Sequence, residues 1–134
     1  MILDKFRLDD KVALVTGASA GLGAAIAVAL AEAGAQVACH GNTRSPDATC
    51  EAIENVGGVA HPITGDLSRR ETAGALIEQT LARFGSLDIL INNAGMVWGG
   101  AATDLTPETW SKVMALNVDA CFRVAQTVER SATS

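Results

Sequence analysis

Thr16-Gly17-Ala18-Ser19-Ala20-Gly21-Leu22-Gly23 is the segment best suited to chemistry, and that chemistry is anion binding. Glycines let a backbone turn tightly and approach a ligand closely, because no Cβ stands in the way. The apolar run Val12-Ala13-Leu14-Val15 precedes it and the apolar stretch Ala24 to Ala33 follows it. In a strand–turn–helix order, the helix aims unpaired N–H groups and its positive dipole end at the turn. The spacing Gly17, Gly21, Gly23 is not the commoner G-x-G-x-x-G, so the expectation of a dinucleotide phosphate rests on this context. The alternative is a small-residue turn that only packs helix on strand.

Three further sites accompany it. The second apolar run ends in Cys39-His40-Gly41-Asn42-Thr43-Arg44, without the acid that usually binds the adenosine ribose of NAD. A 2′-phosphate meets no repulsion there and Arg44 can pair with it, which leans towards NADP; otherwise Arg44 is a solvated loop residue. Asp47 is a late candidate for an NAD contact, with helix capping as its competing role. Asp66, in Gly65-Asp66-Leu67, is placed to accept a hydrogen bond from an adenine amino group or to cap the helix expected near Ser68. Asn92-Asn93-Ala94-Gly95 follows an apolar strand and reads as a ligand site or as a turn. Asn117 falls among Trp110, Val113, Met114, Cys121, Val124, Ala125 and Val128 at helical spacing. A buried amide needs partners, so Asn117 either braces the backbone of an adjacent strand or holds a water beside an active site.

The elements that must position these residues alternate along the chain. Strands are expected at Lys11–Thr16, Gln36–His40, Val59–Ile63 and Leu87–Ile91, the last buried by its composition. Helices are expected at Gly21–Ala33, Pro46–Val56, from the capping box Ser68-Arg69-Arg70-Glu71 to Phe84, and from Thr106-Pro107 nearly to the C-terminus. Four strand–helix repeats imply an α/β fold, a doubly wound parallel Rossmann sheet in the order 3-2-1-4. Residues 1–134 read as one domain, with Trp98 and Trp110 as packing residues.

Composition narrows the function classes. The chain is 49% apolar and 19% charged with a net charge of −5, which describes a globular protein without a nucleic-acid surface. No apolar run approaches the roughly 20 residues that span a bilayer. Cys39, Cys50 and Cys121 show no C-x-x-C spacing and read as buried thiols in a reducing cytoplasm. His40 and His61 stand apart from any ligand cluster, so no metal site is expected. There is no tyrosine.

Taken together, Thr16–Gly23, Asp66-Leu67, Asn92–Gly95 and Asn117 resemble the short-chain dehydrogenase/reductase family in order and spacing, from about Leu8 to Val128. The resemblance implies an NAD(P)-binding oxidoreductase that interconverts hydroxyl and carbonyl groups on a small substrate. It implies that Gly17, Ser19, Gly21, Leu22 and Gly23 line the pyrophosphate. By the same resemblance Asp66 and Leu67 flank the adenine, and Asn92, Ala94 and Gly95 the ribose side. Asn117 would hold the water of a proton relay. The opening Met1–Phe6 with Leu8 is similar to the 2-deoxy- and 2-keto-3-deoxy-gluconate dehydrogenases, which hints at a sugar-acid substrate. Family members place a catalytic Ser and a Tyr-x-x-x-Lys pair beyond the helix that carries Asn117. Neither occurs before Ser134. The resemblance therefore implies a domain incomplete at its C-terminus, lacking the later strands, inactive as it stands, and homo-oligomeric in its complete form. The competing expectations are a dinucleotide-binding module without catalysis and a partly folded remnant.

Overall fold

The central strand is short and wholly apolar, and it is buried along its whole length. In the computed structural model, which describes residues 1–134, Val12–Val15 forms β1, flanked by β2 (Gln36–Gly41) and β4 (Ile89–Ile91). β3 (Val59–Thr64) pairs outside β2 and completes a parallel sheet in the order β3-β2-β1-β4. This is the expected order. Leu14 pairs with Ala38 and Leu90, and Val15 with Cys39 and Ile91. The strand period of two then divides these residues between the two faces.

One face carries Leu14, Ala38 and Ile63 against Leu76 and Ile77 of α3 (Thr72–Phe84) and Ala120 and Val124 of α5 (Ala120–Ala132). The other carries Val15, Val37 and Cys39 against Ala27 and Ala31 of α1 (Gly21–Glu32) and Cys50 and Ile53 of α2 (Asp47–Asn55). Both faces of the sheet are covered, as a run of parallel strands requires. Burial pushes up the thiol pKa values of Cys39 and Cys50.

Five expectations are corrected. α3 starts at Thr72, not at Ser68, and no side chain caps it. The Ser68 hydroxyl donates to Asp66 (2.7 Å) and Glu71 pairs with Arg69 (2.7 Å), so both members of the capping box are taken. Asp47 lies inside α2 with Pro46 at the cap position, so its carboxylate caps nothing. β4 is limited to Ile89–Ile91 and only half-buried, because it pairs with β1 alone. The last helix is not one α-helix: α4 (Pro107–Met114), started by the Thr106 side chain, passes through a π-helical turn over Ala115–Asp119 into α5. The wider turn shifts the buried stripe to Leu116, Ala120, Val124 and Val128, and leaves Trp110 and Ala125 exposed. Trp110 is therefore not a packing residue.

Candidate dinucleotide site

The loop from β1 to α1 is built on the Thr16 side chain. Its Oγ1 accepts from the backbone N–H groups of Asn93 and Ala94, both at 3.0 Å, and donates to the Ile91 carbonyl at 3.3 Å. Asn93 answers from the other side. Its Nδ2 donates to the carbonyls of Thr16 (3.1 Å) and Gly17 (3.0 Å). The ends of β1 and β4 are thus bound together by side chains that satisfy each other's backbone, as buried polar groups must be.

Glycine is required at both ends of this loop. Gly17 has φ +64°, and a Cβ there would lie 2.9 Å from Ala94 Cα. A Cβ on Gly23 would collide with the Gly17 carbonyl and the Asn93 amide. Between them α1 opens at Gly21 with no capping side chain, and Leu22 stands exposed beside it. An uncapped first turn has N–H groups to offer an anion.

His40 underpins the loop. The Gly17 N–H donates to its Nδ1 (3.1 Å), and its Nε2 lies 2.8 Å from the Gly65 carbonyl. A carbonyl only accepts, so these partners fix the neutral ring with its proton on Nε2. Burial lowers the pKa of the ring, against the Gly65 carbonyl, which raises it.

On the next flank, Ser19 donates to the Arg44 carbonyl (2.7 Å) and Thr49 to the Ala18 carbonyl (2.6 Å). Arg44 lines a groove of about 590 Å³ between α1 and α2, together with Ser19, Ala24 and Ala48. Across the sheet edge, Asp66 accepts from both the N–H (3.0 Å) and the hydroxyl of Ser68. These bonds hold its carboxyl below the usual carboxylate range. Asn42, Asp66, Ser68, Lys112 and Leu116 surround a smaller cavity of about 260 Å³.

Asn117 sits in the π-helical turn, the kind of helix defect found often at functional sites. Its Oδ1 accepts from the Met96 N–H (2.9 Å) and its Nδ2 donates to the Met96 carbonyl (2.7 Å). It therefore braces backbone, of the loop that follows β4 and not of a strand. Asn93, Gly95, Met96, Val97 and Asn117 line an open crevice of about 470 Å³.

With this arrangement in view, the comparison with known families is direct: the profile for short chain dehydrogenases matches residues 11–132. The chain belongs to the short-chain dehydrogenase family. Its relatives include the 2-dehydro-3-deoxy-D-gluconate 5-dehydrogenase of Dickeya dadantii, 42% identical over 97% of this chain and 51% of that one. A short-chain type dehydrogenase/reductase from Mycobacterium marinum superposes with a TM-score of 0.92 at 37% identity, covering 97% of this chain and 53% of the other. A short-chain dehydrogenase from Burkholderia cenocepacia, in complex with NADP, gives 0.89 at 37% identity over 92% and 51%. The chain spans about half the length of the relatives it matches.

Gly17, Ser19, Gly21, Leu22 and Gly23 lie together on the β1–α1 turn, and Asp66 follows β3, on the far side of β2 from them. Leu67 turns its side chain into the core. Asn92 points away, donating to the Cys121 carbonyl at 3.3 Å. The amide that shapes the loop is Asn93, one of the two adjacent asparagines whose side chains can satisfy the backbone of a neighbouring loop. His40, which stands apart from any metal-ligand cluster, is wedged between the two loops. Its one signal in the sequence was a titratable side chain at the end of a buried strand.

Proposed function

We propose that these residues bind a nicotinamide dinucleotide, as the cofactor-binding half of an oxidoreductase acting on a hydroxyl or carbonyl group. The observation that carries this reading is the turn itself. Gly17 and Gly23 are packed so closely against each other and against Asn93 that no side chain fits, while the helix start beyond them is left uncapped. A diphosphate fits such a cradle. In this reading Gly17, Ser19, Gly21, Leu22 and Gly23 border the pyrophosphate, and Asp66 with the Leu67 backbone borders the adenine. Ala94 and Gly95 lie toward the ribose, and Asn92 steadies that segment against α5. Asn117 fixes the Met96 backbone beside the crevice where the substrate would lie, and orders water there for a proton relay. The dinucleotide, when bound, supplies or accepts the hydride.

NADP is the preferred form in this proposal. No carboxylate closes the end of β2, and Arg44 stands at the rim of the groove beside Ser19. The NADP bound by the Burkholderia protein supports the same choice. The substrate class is a small sugar acid, supported by the Dickeya relative. The chain contains no tyrosine to exchange a proton with the substrate oxygen, so we assign binding without turnover to these 134 residues. A chain that carries the catalytic Ser, Tyr and Lys would turn over, as a homo-oligomer. No helix is long and apolar enough to cross a membrane, and the three free thiols fit a cytoplasmic setting.

Titration of the chain with NADPH and NADH, followed by nicotinamide fluorescence, tests this. NADPH binds more tightly, and Arg44→Ala removes about tenfold of that preference, the worth of a charge-assisted hydrogen bond. Absence of saturable binding by either nucleotide refutes the reading.

A further inference from the structure

We propose that His40 is a positioning residue for cofactor binding, a latch that holds the phosphate turn in its receptive conformation through the Gly17 amide; this rests on the functional reading above. The Gly17 backbone is held from two directions. Its N–H is taken by His40 Nδ1 and its carbonyl by Asn93 Nδ2. With φ at +64°, Gly17 has no local hydrogen-bonding pattern of its own to keep it there. The latch also turns the Gly17 N–H inward, so the anion is met by the amides further along the turn, at the start of α1.

The same ring reaches the opposite loop. Nε2 donates to Gly65, whose neighbour Asp66 borders the adenine side. One rigid imidazole, 1% exposed, therefore sets the spacing between the phosphate turn and the adenine loop. Rotation is not open to it, since both nitrogens are engaged and the ring is enclosed.

The latch has a proton dependence that follows from its geometry. A proton on Nδ1 would convert the acceptor into a donor facing another donor, and the Gly17 bond would be lost. Burial and the Gly65 carbonyl are the influences that set the protonation of the ring. The charged groups on the surrounding elements are Asp66 after β3, Arg44 after β2 and Lys112 on α4. Cofactor affinity is accordingly level near neutrality and falls in acid, below the lowered pKa of the ring.

Two substitutions separate the bonds. The Oδ1 of Asn stands where Nδ1 does, so His40→Asn keeps the acceptor for Gly17 and does not titrate. The amide of Gln reaches the Nε2 position, so His40→Gln keeps the Gly65 bond and drops the latch. NADPH affinity is measured for the wild-type chain and both variants at neutral and acid pH, with a thermal melt of each. We expect His40→Asn to bind within about threefold of wild type and to lose the His40-dependent fall in acid, and His40→Gln to bind about tenfold more weakly. A His40→Gln variant that binds like wild type, or two variants that lose affinity equally, overturns the proposal. Histidine nitrogen shifts and Gly17 amide exchange in the cofactor-free chain give a readout independent of binding. An Nε2–H tautomer with a protected Gly17 amide supports the latch, and the opposite tautomer or a freely exchanging amide overturns it. A wild-type chain that folds but binds no nucleotide refutes the functional reading, and the exchange data then decide whether His40 holds the turn.

Discussion

Replacing Asn93 tests the claim that hydrogen-bond donors, and not packing, hold the cofactor turn. Asn93 Nδ2 donates to two carbonyls, those of Thr16 and Gly17, and Asn93→Ala leaves both without that partner. At about 0.5–1.5 kcal/mol for each bond, the loss is about 1–3 kcal/mol. A domain of this length loses about 4 °C of melting temperature per kcal/mol, so the melt falls by about 4–12 °C. Asn93→Asp keeps the shape of the side chain and turns the donor into a charged acceptor facing the same two carbonyls. It must therefore cost more than Asn93→Ala, although it removes less volume. Circular dichroism melts of the three chains at neutral pH give the comparison. If Asn93→Asp is as stable as wild type, or loses less than Asn93→Ala, the two donor bonds do not hold the turn and the reasoning fails.

Two further outcomes follow from the same geometry. Gly23→Ala drives a methyl group into the Gly17 carbonyl and the Asn93 amide. It should abolish saturable NADPH binding while leaving the far-UV spectrum helical and sheet-like, and a variant that binds normally would contradict the close approach described here. Stability should also depend on His40. Its folded-state pKa is lowered by burial, whereas in the unfolded chain it titrates near about 6.5. The unfolded state then takes up the proton first, so the contribution is whole above that pH and is lost as pH falls to the folded-state pKa. The slope in that window is at most about 1.4 kcal/mol per pH unit, and denaturant titrations of wild type against His40→Asn should show it only in wild type.

Much of this arrangement is written plainly in the chain. β1 announces itself as an apolar run of strand length, β2 and β3 as shorter strand-like segments, and glycines mark where each crossover begins, so the order of the sheet follows. The misses share a physical cause. Periodicity records which residues face inward on an ideal helix, and a π-helical turn adds a residue that no composition signals. The stripe read through Trp110 and Val113 thus rotates before it reaches Val124. Ser68 and Glu71 have the spacing of a capping box, yet Asp66 and Arg69 compete for them at shorter range. Two adjacent asparagines are indistinguishable by type. Only the pleat decides that Asn93 turns to the phosphate turn and Asn92 to α5. β4 looked buried because its residues are apolar, but an edge strand pairs on one side only.

The bonds that shape the glycine turn also fix when it can form. Gly17 and His40 are 23 residues apart, and Thr16 and Ala94 are 78 apart. Contacts this distant form only after the intervening chain has closed its loops, whereas a helix such as α1 can form by itself. The segment made early in synthesis therefore gains its binding shape late, when β4 docks beside β1. Until then the glycines are merely flexible, and a dinucleotide has nothing rigid to recognise. Under the proposed function, nucleotide binding by a nascent chain would report the arrival of Asn93, not the emergence of the glycines.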